Sequence, residues 1–151
     1  MKILFIGQSN YGSTSLMRFE MIQKYFGCSV QLINISPIIE DTWKPFRSIG
    51  WRFQIGPFIK FINEAIITGL DKKNKYDLIF FSTTATHLLY LGSYWKNMYD
   101  IPFVLDIQDP WVNEYYLSKP KHEQPPKYLL NLKIDKYLES RTIPEAAAII
   151  S

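Results

Sequence analysis

The chain has 151 residues, is 47% hydrophobic and 21% charged, and carries a formal net charge of +3. That length and composition suit one globular domain and exclude a disordered chain. The small positive charge, without a lysine/arginine stripe, gives no nucleic-acid footprint, and one cysteine excludes an intrachain disulfide or a cysteine-rich metal site. Cys28 is expected as a buried, inert thiol.

Ile3 to Ile6 form a continuous apolar run that predicts a strand covered on both faces. A small-residue loop follows, bracketed by Gly7 and Gly12. Ser13, Thr14 and Ser15 are all good N-cap residues for a helix that ends at Gly27, which is placed for a left-handed C-terminal cap. The amides at the start of such a helix have no intrahelical partner, so the loop is a candidate anion site. Two phosphate motifs nearly fit it. Gly7 to Thr14 spells G-x-x-x-x-G-S-T, with Ser13 where a P-loop carries lysine. Ser9 stands at the second glycine of the dinucleotide pattern G-x-G-x-x-G.

Ser29–Ile35 is the second expected strand. Trp51–Ile55 alternates apolar and polar residues and reads as a short edge strand. Pro57 starts a helix running to Leu70, with Phe58, Phe61, Ile62, Ala65 and Ile66 on one face. Tyr76–Ser82 is a further buried strand, followed by a helix over 85–99 and the strand Pro102–Ile107. The polar loop beyond it has three prolines after Pro110 and is expected to be partly mobile. A helix from Lys127 to Arg141 and a final strand, Ala146–Ser151, complete the pattern.

Strand and helix alternate, which predicts an α/β fold: a doubly wound, mainly parallel sheet with helices on both faces. With Trp51–Ile55 in the sheet the order is 3-2-1-4-5-6; without it, 2-1-3-4-5. Either way, three turns converge at the carboxyl ends of the strands: Gln8–Ser15, Thr83–His87 and Gln108–Trp111. His87, at a helix start beside three threonines, is placed to donate to a substrate hydroxyl or phosphate oxygen. His122 lies in a polar loop and is expected in solvent. Asp106 ends an apolar strand and is expected to accept backbone or hydroxyl hydrogen bonds, because an unpaired carboxylate there is costly. Asp109, just beyond, is better placed to meet a ligand. Arg18, one or two turns into the first helix, reads either as a surface residue or as a side chain reaching back toward an anion.

Trp43 to Phe53 interleaves aromatics with Lys44, Arg47 and Arg52. Core packing, a partner surface and a membrane interface all suit it. No apolar run reaches the length of a membrane span, and the N-terminus reads as a strand, not a signal peptide. A cytoplasmic location is expected, with contact at the inner membrane face as the membrane variant.

The segment IPFVLDIQDPWVNEYY resembles the I-P-x-V-x-D-x-x-D-x-W segment in the N-terminal domain of family-4-like glycosyltransferases of the GT-B fold. The opening strand MKILFIG, the loop-helix GSTSLMRF and the closing EAAAIIS are similar to their counterparts there. The resemblance implies a Rossmann-like, acceptor-side domain over 1–151, with the C-terminal donor-binding domain absent from this chain. It implies retaining sugar transfer from a nucleotide-sugar donor to a glycan or lipid-linked acceptor, without cofactor or essential metal, and no activity for this domain alone. By analogy Gly12, Ser13, Thr14 and Ser15 approach the donor diphosphate. His87 faces the donor sugar and Asp109 lies near the acceptor, the two being the catalytic candidates. Arg18, Thr84 and Trp111 fall on the acceptor side. The chain departs from the pattern in three places: it has one glycine, not an adjacent pair, in the first loop; its histidine is displaced in S-T-T-A-T-H; and Gln108 stands where arginine is common. The alternative is a non-enzymatic, flavodoxin-like ligand-binding or interaction domain. A phosphorylation receiver fits badly, because Gly7 to Ser13 has no acidic residue.

Overall fold

A computed structural model describes residues 1–8, 12–35, 75–84, 88–125 and 128–151. The expected strand Trp51–Ile55, the helix from Pro57, the aromatic-basic segment 43–53 and His87 lie outside the described residues.

Five strands form one sheet: β1 (Lys2–Gly7), β2 (Ser29–Asn34), β3 (Leu78–Ser82), β4 (Phe103–Asp106) and β5 (Ala148–Ile150). Their order is β2-β1-β3-β4-β5 and every pairing is parallel. The described strands suit both expected orders, since 3-2-1-4-5-6 without its third strand is the same series. The three central strands carry the continuous apolar runs, and Ile3 to Ile6, Ile79 to Phe81 and Phe103 to Leu105 are all buried. β5, at the edge, is exposed along its length.

Strand alternation splits the core in two. Leu4, Ile6, Ile79, Phe81, Phe103 and Leu105 face one side, where α2 (Tyr90–Tyr99) and α3 (Tyr128–Thr142) supply Leu91, Trp95 and Leu138. Ile3, Phe5, Phe80 and Val104 face the other, where α1 (Thr14–Tyr25) brings Phe19 and Ile22. Phe5 stacks on Phe80 and meets the edge of Phe19. Cys28 packs at the margin of this second cluster, half-buried and not enclosed, with Sγ donating to Phe26 O.

The helix ends follow their residues. Ser13 caps α1, its Oγ accepting from Leu16 N at 3.2 Å and donating to Gln8 O at 3.0 Å. Gly27 closes that helix at φ +58°. α2 ends instead on Asp100 at φ 54°, a position where aspartate is among the better-tolerated side chains. The polar loop after β4 is more organised than its prolines suggest. It contains a 3₁₀ turn at Tyr115–Ser118. Gln124 Nε2 donates to Tyr116 O and Lys119 O, and Tyr128 OH donates to Asn113 O. Glu114 pairs with Lys136 on α3 and holds that ammonium above its ordinary pKa. No described helix is long and apolar enough to cross a membrane.

α2 rests directly on β4 at Gly92, where a Cβ would fall within 3 Å of several Phe103 ring atoms. Gly92→Ala therefore forces the helix off the sheet. It should lower stability by about 1–3 kcal/mol in urea unfolding, despite the better helix propensity of alanine.

Burial and the neighbouring Asp135 push the Glu139 carboxyl above the ordinary 4.5, against the opposing pull of Lys136. A raised folded-state pKa means that ionising Glu139 destabilises the fold. The penalty is full above the folded pKa and absent below the unfolded one. Glu139→Gln should raise the unfolding temperature at neutral pH, and the gain should vanish as the pH falls below 4.5.

Candidate functional site at the carboxyl edge of the sheet

The register places Asn34, Gly7, Ser82, Asp106 and Ile150 side by side as the last row of the sheet. The row before it is Ile33, Ile6, Phe81, Leu105 and Ile149. The sheet thus passes from large apolar residues to a small and polar centre within one residue. Ser82 and Asp106 continue the alternation of Phe80 and Val104, so they point toward α1.

α1 answers them with two side chains. Ser15 Oγ donates to Ser82 O at 2.7 Å. Arg18 Nη1 pairs with Asp106 Oδ1. Asp106 is 0% exposed, and its second oxygen accepts from Ser82 Oγ at 2.6 Å and from Gln108 Nε2 at 3.3 Å. Gln108 Nε2 also reaches Ser82 Oγ at 3.2 Å. Arg18 is 29% exposed, so its guanidinium seals the cluster from the solvent side.

This close approach needs glycine at position 7. A Cβ there would collide with Ser15 Oγ and lie 2.8 Å from Ser82 O. Gly12 meets a different requirement: its φ is +77°, in the left-handed region, and nothing crowds it. The chain therefore leaves β1 at a residue without a side chain and enters α1 through an exposed left-handed turn.

The chain steps from β1 outward to β2, then back past β1 to β3. The boundary between β1 and β3 is the topological switch point, where open α/β sheets form a crevice at the carboxyl ends of their strands. The Ser15–Ser82 hydrogen bond spans that boundary. Above it stand exposed Gly12, half-buried Ser13, exposed Thr14, buried Thr83 and exposed Thr84. The amides of Thr14 and Ser15 open α1 without intrahelical partners and carry the positive end of its dipole.

The sequence-derived candidates divide as follows. Gly12 to Ser15 and Thr84 lie at the crevice. Asp109 is exposed and is separated from the end of β4 by Ile107 and Gln108. Asp106 is enclosed and paired, which matches its expected role as a hydrogen-bonded structural carboxylate. Arg18 belongs to the Asp106 cluster. Trp111 is 4% exposed in the core beside α2 and α3, and its Nε1 has no hydrogen-bond partner among the described residues. His122 is exposed beside Glu123, as expected. Among the described residues no group of three or more His, Cys, Asp or Glu is arranged to hold a metal. The sequence alone does not pair Arg18 with Asp106. One signal pointed to it: Ser15, Arg18, Phe19 and Ile22 share the i, i+3, i+4, i+7 spacing of a single helix face.

No protein-family model matches the chain, and no curated protein matches it. Among solved structures, the chain is similar to Anabaena Alr3699/HepE in complex with UDP, at 18% identity and a TM-score of 0.46, covering 100% of this chain and 37% of that one. It is similar also to the same protein with UDP and glucose, at 22% identity and a TM-score of 0.48, covering 100% and 38%. The chain spans less than two fifths of the length of these proteins.

Removing Asp106 leaves Arg18, Ser82 and Gln108 facing a buried gap; removing Arg18 leaves a buried carboxylate without its cation. Asp106→Ala and Arg18→Met should each cost about 3–5 kcal/mol in denaturant unfolding. The double variant Arg18→Met/Asp106→Leu should cost clearly less than the sum of the two single changes, because neither charge is then stranded.

Proposed function

We propose that the chain is the acceptor-side domain of a GT-B-type, family-4-like glycosyltransferase. It acts with a second domain that closes over the carboxyl edge of the sheet. The reaction is retaining transfer of a sugar from a nucleotide-sugar to a glycan or lipid-linked acceptor, without a cofactor or essential metal. The observation that supports this reading is the placement of the D-I-Q-D-P-W motif. Its first aspartate ends β4 and is joined through Arg18 and Ser82 to the helix that opens at the Gly12–Ser15 turn. The motif and the loop, recognised separately in the sequence, are two sides of one crevice.

In this reading Gly12 to Ser15 approach the donor diphosphate through backbone amides and the α1 dipole. His87 serves the donor sugar. Thr84 and Asp109 serve the acceptor, and Arg18 and Trp111 act from beneath by holding the edge in place. The loop has no lysine, and Arg18 is engaged by Asp106. Diphosphate affinity in this domain alone is therefore weak.

Titrating the 151-residue chain with uridine- and guanosine-diphosphate sugars, read by amide NMR shifts, tests the reading. Shifts confined to Gly12–Ser15, Thr84 and the 108–111 turn, saturating only in the millimolar range, are expected. Micromolar binding, shifts elsewhere, or sugar transfer by this chain alone would overturn it. The strand order also suits a flavodoxin-type binding module. Tight binding of flavin mononucleotide at the same turns would favour that alternative.

A further inference from the structure

The outer face of α3 reverses the charge pattern expected of a solvated helix. The helix has two acids, and neither stands on that face: Asp135 is buried and Glu139, one turn on, is half-buried. The exposed positions carry Leu129, Leu130 and Tyr137, the cations Lys133, Lys136 and Arg141, and one serine. The apolar side chains are open to solvent, Leu129 at 57%, Leu130 at 40% and Tyr137 at 58%. Arg141 holds its guanidinium carbon 5.7 Å over the Tyr137 ring.

The loop after β4 adjoins this face. Lys136 pairs with Glu114, Tyr128 OH donates to Asn113 O, and the Tyr116 and Tyr128 rings meet edge to face. These contacts fasten the 3₁₀ turn at Tyr115–Ser118 to α3. The turn exposes Tyr115 and Leu117, and Lys119 Nζ sits 5.1 Å over the Tyr115 ring. Among the described residues from 113 to 142, five cations stand against two exposed acids, Glu114 and Glu123, and Glu114 is engaged by Lys136. Single exposed apolar residues are ordinary, but a group of them set among like charges marks an interaction surface.

The pattern selects the partner. Protein interfaces gather an apolar centre, deplete lysine there and keep charge at the rim. Here Lys133 stands between Leu129 and Tyr137 in a single i, i+4, i+8 row, so charge and apolar surface alternate. Nucleic acid is met by the cations but not by the leucines. An anionic lipid surface takes both: aliphatic and aromatic side chains enter the headgroup region, while lysine stems lie beside them and the ammonium groups reach the phosphates. No described helix is long and apolar enough to cross the bilayer, so the helix would lie on it. We propose that the outer face of α3, with the 3₁₀ turn beside it, docks on an anionic lipid surface. This face is on the opposite side of the sheet from α1, and the proposal does not rest on the transferase reading.

The test is flotation of the 151-residue chain with phosphatidylcholine vesicles, with and without phosphatidylglycerol, at low and high salt. Binding to the anionic vesicles at low salt, reduced by added salt, is expected, with little binding to phosphatidylcholine alone. Lys133→Glu/Arg141→Glu should weaken it about tenfold or more, and Leu129→Ser/Tyr137→Ser about fivefold. Lys24→Glu/Lys75→Glu makes the same change in net charge away from this face and should cost about twofold at most. All six positions are exposed, and unchanged unfolding temperatures separate lost docking from lost folding. The proposal is overturned if the chain ignores anionic vesicles at low salt, which would leave the face to a protein partner. It is overturned also if phosphatidylcholine alone binds equally well, or if the Lys24/Lys75 variant loses as much as the Lys133/Arg141 variant.

Discussion

A carboxylate buried at the end of a central strand is the constraint on which the rest of this edge depends. Asp106 is enclosed in the last row of the sheet, where an isolated charge would be prohibitive. Three other parts of the chain must arrive together to offset it. α1 must present Arg18, β3 must present Ser82, and the turn after β4 must fold Gln108 back over the pair. α1 reaches this position only because Gly7 offers no side chain to Ser15. A packing requirement at one glycine and an electrostatic requirement at one aspartate thus fix the same helix from two sides.

Gln108 and Arg18 divide the work of satisfying Asp106. Gln108 contributes an amide that donates to Asp106 Oδ2 and to the Ser82 hydroxyl but brings no charge. The cation comes from Arg18, on a different element, and reaches Asp106 from the α1 face. The charge balance of the strand end therefore depends on how α1 packs against the sheet.

What the sequence made legible was local. Continuous apolar runs identified the three buried strands, because a strand covered on both faces needs no alternation. Gly27 and Ser13 announced the ends of α1 through backbone chemistry that acts within a few residues. Contacts between distant segments were not legible in the same way. Arg18 meets Asp106 only once the parallel register has placed Ser82 and Asp106 on the α1 face, and register is a property of the assembled sheet. The resemblance implies an acceptor-side position for Trp111. The chain turns its ring into the core instead, which side-chain identity does not reveal. The left-handed Asp100 was also invisible, since aspartate only tolerates the conformation that glycine prefers.

The same cluster determines how this edge would treat an anion. A P-loop pairs a helix N-terminus with a mobile lysine; here Ser13 occupies that position, and the cation one turn into the helix is engaged by a buried carboxylate. What α1 offers is the dipole and the amides of Thr14 and Ser15. A helix terminus contributes about 0.3–1 kcal/mol to a nearby negative charge when exposed, and up to about 2 when partly buried. Such a surface orients a phosphate but does not retain it. Gly12, exposed and left-handed, leaves the turn uncrowded on its outer side. An edge cross-linked below by Asp106 and only weakly attractive above is what the proposed reading requires of one half of a cleft, with its geometry set by the buried carboxylate.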